Sequence, residues 1–595
     1  MTMRTEIQLD LVSLRELYKS GKATPSDVIA AIYDRIGDKP LQPIWISMLP
    51  RDKAMAKARK LERDPLAPAR PLYGVPFAVK DNIDLAGLPT TAACPAYAFS
   101  PGHSARVVQS LVDAGAIPIG KTNMDQFATG LVGTRSPHGA CSSVFNPRYI
   151  SGGSSSGSAV AVASGLASFS LGTDTAGSGR VPAAFNGLVG LKPTRGVLST
   201  QGVVPACRTL DCISIFAANA GDAHTVWLAA RGFDPDDPFS RAPRPGEDAA
   251  PWLAGSFQFG VPPASHLEFF GDDAAAILFD AAVAKLEAAG GRKVEIDFSL
   301  FRAAAELLYA GPWVAERYAA IRAFIEAHAG DMNPVVRGII EGARRFSAAD
   351  AFDAEYRLRE LRRATESQWE QMDILMLPTT GTIYTHDAVA AEPVRMNTNL
   401  GYYTNFVNLL DLAAVAVPAG LRPDGLPFGV SFIGRAFSDE ALLAIAQRFA
   451  NSSQPPQASC PAGCIPLAVV GAHLSGQPLN WQLTDRGARL IKACRTAPDY
   501  RLYALEAMMP PKPGLVRDRD FAGPGIEVEV WAIPEDRFGS FVAEVPPPLG
   551  IGSAVLDDGE TVKCFICEPY AIATATEVTR FGGWKSYLSQ AVSIR

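Results

Sequence analysis

The sequence predicts an α/β layered domain followed by a small α+β domain, and three observations carry that reading. Between residues 24 and 451, apolar stripes at helical spacing alternate with short apolar runs of strand length, the texture of a sheet layered with helices. A polar stretch with two prolines, Ser452-Ser453-Gln454-Pro455-Pro456-Gln457, then breaks the pattern and reads as a linker. Beyond it, Ile526, Val528, Val530 and Ala532 alternate with Glu527, Glu529 and Trp531, the pattern of a half-buried strand. A chain of 595 residues is also too long for one ordinary core. The expected organisation is a large domain over 1–451, a linker over 452–464 and a small domain over 465–595.

Each element has its own signal. Thr24-Pro25-Ser26-Asp27 supplies an N-cap, a proline at the first helical position and an early carboxylate, and Val28, Ile29, Ile32 and Ile36 continue as an apolar stripe. Tyr73 to Lys80 reads as a short strand, Ala105 to Ala114 as a helix, and Ala116 to Lys121 as a second strand. Residues 130–202 are crowded with Gly, Ser and Thr yet too apolar for a linker. Helices are expected over 273–289, 301–329 and 348–371. The strand 373–378, a closing strand over 425–434 and a last helix over 439–451 follow. In the small domain, Asp558-Gly559 between two strand-like runs marks a hairpin.

Composition excludes several classes. With 48% hydrophobic and 19% charged residues the chain has ample core material, and a net charge of -6 argues against a nucleic-acid binder. The start carries no apolar run behind its basic residue, and the most apolar stretch, 158–172, is too short to span a bilayer, so a cytoplasmic protein that binds no membrane is expected. Nine cysteines then read as reduced thiols. Cys460, Cys464, Cys564 and Cys567 have a superficial zinc spacing, but the second pair sits three apart in a strand pattern and the first lies in the linker, so no metal is expected.

The chemistry concentrates in Ser151 to Ser158 and Gly172 to Arg180. Neither segment supplies the lysine of a phosphate-cradling loop. Gly153-Ser154-Ser155-Ser156-Gly157 matches a nucleophile elbow, but that turn must follow a buried strand, and 146–150 is a poor one. In combination, Gly152-Gly153-Ser154-Ser155, Gly172-Thr173-Asp174 and Gly177-Ser178 with Arg180 and Pro182, preceded by Val75 to Asn82, resemble the amidase signature family over most of the first 450 residues. The separations fit that family's Ser-cisSer-Lys triad, with 74 residues from Lys80 to Ser154 and 24 from Ser154 to Ser178.

The resemblance implies a mixed β-sheet covered by helices, and amide hydrolysis through an acyl-enzyme without metal or cofactor. It makes Lys80 the ultimate base, Ser154 the proton relay on a cis peptide, and Ser178 the nucleophile. The oxyanion hole would be the backbone N–H groups of Thr175, Ala176, Gly177 and Ser178, with Ala176 standing where many members carry glycine. A serine hydroxyl needs a base to become a nucleophile, and a lysine serves only when neutral, which requires a buried site.

Tyr309 to Tyr318 resembles the substrate-recognition segment of allophanate hydrolases. Tyr309 and Arg317 would share a helix face, although Gly311-Pro312 complicates a regular helix. Arginine suits a substrate carboxylate because its planar fork binds both oxygens. Gly130 is expected beside them as a third substrate-binding residue. Val470 to Asn480, with Cys567-Glu568-Pro569, resembles the C-terminal domain of the same enzymes, whose fold is like gamma-glutamyl cyclotransferases. The resemblance implies hydrolysis of allophanate to ammonia and N-carboxycarbamate, which decarboxylates, with His473 a candidate participant in the small domain. It further implies functional coupling to urea carboxylase and a homodimer. The alternatives are an amidase of another small carboxylated amide such as malonamate, a transamidation subunit, and an inactive amidase scaffold that binds a partner; the intact Lys80, Ser154 and Ser178 weigh against the last.

Overall fold

The computed structural model describes residues 7–592 except 38–41, 244–245, 247–249, 453–462, 476, 506–510 and 558. The chain divides into two compact units, Met1–Ser453 and Gln454–Arg595. Most of the expected linker, with Cys460, lies outside the described residues. Its last residue corrects the expected boundary: Cys464 already belongs to a strand, because its backbone pairs with Pro534.

In the first unit eleven strands form one mixed sheet. They are β1 (Trp45–Met48), β2 (Pro76–Lys80), β3 (Ile117–Thr122), β4 (Phe169–Asp174), β5 (Val189–Lys192), β6 (Cys212–Ala217), β7 (Phe257–Val261), β8 (Gly291–Glu295), β9 (Ile374–Pro378), β10 (Leu412–Leu421) and β11 (Pro427–Arg435). Their spatial order is β1-β3-β2-β4-β6-β5-β10-β11-β9-β7-β8. β2 runs parallel to both β3 and β4, and β4 pairs antiparallel with β6. Every residue of β2 and β4 is buried, as expected of parallel strands covered on both faces. Phe77 stacks on Phe169 at 5.1 Å, and the register pairs Val79 with Leu171. Continued by one residue, that register sets Lys80, the end of β2, level with Gly172, two residues before β4 ends at Asp174.

The first predicted helix forms over Pro25–Gly37, with Val28, Ile29, Ile32 and Ile36 buried. Thr24 and Asp27 cap it reciprocally: Thr24 N–H and hydroxyl donate to the Asp27 carboxylate at 2.8 and 2.7 Å, and Asp27 N–H donates back to the hydroxyl at 3.3 Å. The expected helix 301–329 is three helices instead, Ser299–Ala310, Trp313–Ala320 and Arg322–His328. Gly311 and Pro312 make the first break, since proline has no N–H to continue the ladder. β10 escaped the sequence reading because residues 412–417 are uniformly buried, which erases alternation.

The second unit holds β12 (Cys464–Val469), β13 (Arg489–Arg495), β14 (Tyr500–Leu505), β15 (Lys512–Arg517), β16 (Glu527–Pro534), β17 (Leu549–Val555), β18 (Thr561–Cys567) and β19 (Thr576–Glu577). They form a five-stranded sheet, β13-β16-β12-β18-β17, and a three-stranded one, β15-β14-β19. β16 is not half-buried as its alternation suggested. It lies between β13 and β12, so Glu529 and Trp531 are each only 6% exposed. Buried Glu529 is satisfied by Ser475 N–H at 2.7 Å, Ser475 hydroxyl at 2.8 Å and the Lys585 amine at 3.0 Å. β17 and β18 pair as a hairpin through Val555 and Thr561, with Gly559 at φ +85° in the turn; Asp558 lies outside the described residues. Among the described residues no group of His, Cys, Asp and Glu is placed to hold a metal, and no helix is long and apolar enough to cross a membrane.

Candidate active site

Lys80 is the last residue of β2 and is wholly buried. Its amine donates to Ser154 Oγ at 2.8 Å and to Thr173 Oγ1 at 2.7 Å. Removal from water pushes its pKa down from 10.5 to about 7; Asp125, Asp174 and Asp211 oppose the shift and Arg317 adds to it. Near neutral pH half of such an amine is unprotonated and able to accept a proton.

Ser154, also wholly buried, precedes the helix Ser156–Ala163, and the Gly153–Ser154 peptide is cis. Gly153 must be glycine, since a Cβ would collide with Asp125 and Gly133. Asp125 organises this turn. Its carboxylate accepts Gly133 N–H at 3.0 Å and Arg135 N–H at 2.8 Å, while its own N–H donates to the Ser154 carbonyl at 3.0 Å. The sequence reading passed over Asp125, although it is the lone charge in the otherwise uncharged run 122–134.

Ser178 stands in the loop that follows β4, 3% exposed. Asp174 frames that loop: its carboxylate accepts Gly177 N–H at 2.8 Å and Gly179 N–H at 3.0 Å, and pairs with Arg180 through Nε at 2.9 Å and Nη2 at 3.0 Å. Burial alone would raise the Asp174 pKa, but the Arg180 guanidinium holds it below the usual carboxylate value. The Gly177 N–H, one of the four expected oxyanion donors, points at the Asp174 carboxylate in this structure. Gly177 sits at φ +135°, where a Cβ would run into Thr404.

Ser178 Oγ approaches the Gly130 carbonyl at 3.5 Å and, among the described residues, makes no direct hydrogen bond to Ser154. Catalytic hydrogen bonds commonly tighten only around substrate. Gly130 leaves no room for a side chain, since a Cβ would stand 2.6 Å from Asp125 Oδ2.

Tyr309 and Arg317 meet although they occupy different helices: Arg317 Nη2 donates to Tyr309 Oη at 3.4 Å. Arg317 Nη1 donates to the Ala128 carbonyl at 3.3 Å and Thr129 Oγ1 at 3.1 Å, beside Gly130. The guanidinium is 3% exposed and, among the described residues, has no carboxylate partner. In the second unit His473 is 8% exposed, with Nε2 at 2.7 Å from Gln482 Oε1 and its ring stacked on Phe565 at 5.0 Å. Burial lowers its pKa.

The Amidase family matches residues 27–443, and the Allophanate hydrolase C-terminal domain matches residues 465–589. The chain is 44% identical over 601 residues to Urea amidolyase of Saccharomyces cerevisiae, covering 96% of this chain and 32% of that protein. It therefore spans about a third of the length of the urea amidolyases it matches. A glutamyl-tRNA(Gln) amidotransferase subunit from Exiguobacterium sibiricum is 33% identical over 465 residues, covering 73% of this chain and 96% of that one. The solved structure of Kluyveromyces lactis allophanate hydrolase is 43% identical with a TM-score of 0.72, covering 99% of this chain and all of its own. Since the family match takes in most of the chain, and a related structure is shared from end to end, the chain belongs to the amidase family and has the amidase signature fold, with the allophanate hydrolase C-terminal domain behind it.

Proposed function

We propose that the chain is an allophanate hydrolase that uses Ser178, Ser154 and Lys80. The observation that carries the substrate reading is Arg317: a buried guanidinium held by Tyr309 and Thr129, which among the described residues makes no ion pair, Asp211 and Glu316 acting on it without contact. Burying a charge without a counter-ion in contact is costly, and a substrate carboxylate supplies that contact. The similarity to proteins named allophanate hydrolase and urea amidolyase supports the same reading.

In this mechanism Ser178 Oγ attacks the terminal carbamoyl carbon of allophanate while Ser154 passes the released proton to the neutral Lys80 amine. Negative charge gathers on the carbonyl oxygen and is met by N–H groups of the 175–178 loop. The proton returns to the leaving nitrogen, ammonia departs and a carbamoyl-type acyl-enzyme remains. Water attacks that ester with Lys80 again as base and frees N-carboxycarbamate. N-carboxycarbamate loses one carbon dioxide to leave carbamate, and carbamate breaks down to the second ammonia and the second carbon dioxide, which makes two of each per allophanate. We assign residues 465–595 a supporting part in that decarboxylation, with His473 its candidate participant. Supply of allophanate by a urea carboxylase, a cytoplasmic setting and a homodimer complete the proposal.

The decisive assay is ammonia release from fresh allophanate, malonamate and a neutral amide. Arg317→Ala is expected to raise KM for allophanate about 10- to 100-fold, the worth of a charged hydrogen-bonded pair, and to leave KM for the neutral amide nearly unchanged. An equal effect on both substrates would remove Arg317 from carboxylate binding. Turnover of malonamate without allophanate would favour the amidase alternative and keep the triad. A truncated chain ending at Gln457 is expected to stay soluble and release the first ammonia; aggregation or inactivity would count against the proposed boundary.

A further inference from the structure

We propose that Asp211 is a positioning residue that locks the oxyanion loop through Thr175. This rests on the role given above to the 175–178 loop.

Asp211 immediately precedes β6, and the β4–β6 ladder pairs Asp174 with Cys212. It therefore stands across the end of the ladder from Thr175, the first residue of the oxyanion loop. Its carboxylate is 7% exposed and borders a cavity of 330 Å³ that Tyr97, Gln201, Val204 and Arg208 also line. The Thr175 hydroxyl donates to Asp211 Oδ1, which Cys207 N–H also reaches at 3.2 Å, and Ala206 N–H donates to Oδ2 at 2.8 Å. The backbone closes the same turn, with Leu210 and Asp211 N–H both donating to the Cys207 carbonyl at 2.8 Å.

The far side of this turn grips the helix Trp313–Ala320. Thr209 donates from its N–H and hydroxyl to the two Glu316 oxygens at 2.6 and 2.8 Å, and Cys207 Sγ lies 3.6 Å from the Trp313 carbonyl. One short loop thus holds Thr175 at one end and the residue next to Arg317 at the other. A carboxylate touching the reacting oxygen would oppose the charge that develops there. Asp211 acts instead through Thr175, fixing where its N–H points, and a small misplacement of such a donor is expensive in rate.

The test compares wild type, Asp211→Asn, Thr175→Val and the double variant, with kcat, KM and thermal unfolding measured for each. Asp211→Asn and Thr175→Val are each expected to lower kcat about 10- to 100-fold with KM little changed, the cost of a misaimed oxyanion donor. The double variant is expected to lose scarcely more than the worse single one, because both break the same link. Should Asp211→Asn fold poorly, Thr175→Val removes only the hydroxyl and reads the same link alone. Full kcat in a folded Thr175→Val variant, or multiplicative losses in the double variant, would overturn the assignment. Loss in KM alone would overturn it as well. If wild type hydrolyses malonamate but not allophanate, the substrate reading fails, and the same split on malonamate still decides the role of Asp211.

Discussion

Ser178→Ala is expected to abolish ammonia release from allophanate, with kcat falling on the order of 10⁴- to 10⁶-fold, the loss seen when a nucleophile that works as a unit with its base is removed. The side chain is 3% exposed and, among the described residues, its Oγ hydrogen-bonds to the Gly130 carbonyl alone, at a long 3.5 Å, so losing that oxygen costs one weak contact and the fold should persist. An unchanged unfolding temperature with no turnover is the predicted pair of results. The control is sharp, because Ser154 and Ser155 lie nearby and either would betray itself as the nucleophile through residual burst kinetics. Activity within 10-fold of wild type, well short of the loss expected of a nucleophile, would move that role away from Ser178.

Lys80→Met is expected to have the second largest effect, a kcat loss on the order of 10³-fold or more with the alkaline rise of the pH profile removed. The argument is electrostatic. Burial brings the amine to about 7, so wild-type kcat/KM should climb through that pH and level off above it as the neutral amine accumulates. Between pH 7 and 10.5 the unfolded chain holds a proton on this lysine that the folded chain has released. Stability therefore rises with pH across the same window, and Lys80→Met should flatten that slope. A rate profile with no inflection near pH 7 would show that another group limits proton uptake. Methionine keeps the buried stem's bulk, so a folded but silent variant is the expected outcome.

Much of this protein was legible in the residue order, and the reasons differ from element to element. The Pro25–Gly37 helix was readable because its cap and its apolar stripe are local, and a local pattern suffices when one face meets the core. β10 escaped the same reasoning, and β16 was read as a strand but with one face exposed: strands buried on both faces no longer alternate in environment, whatever their side chains do. The break at Gly311-Pro312 was visible as a warning, yet nothing local said that Tyr309 and Arg317 would still meet across it, as they do at 3.4 Å.

At the site, Lys80, Ser154 and Ser178 were named through the resemblance of their ordered segments to the amidase signature family. It also suggested that Lys80 needed burial. Three things were decided only by packing: that the Gly177 N–H donates to Asp174, that Asp125 seats the turn before Ser154, and that Arg317 lies buried against Thr129, 188 residues earlier in the chain. Spacing along a chain fixes which chemical groups are present and which lie on one helix face. The basicity of a lysine and the free direction of an N–H depend on desolvation and on hydrogen-bond partners, and those come from segments that meet only when the sheet closes.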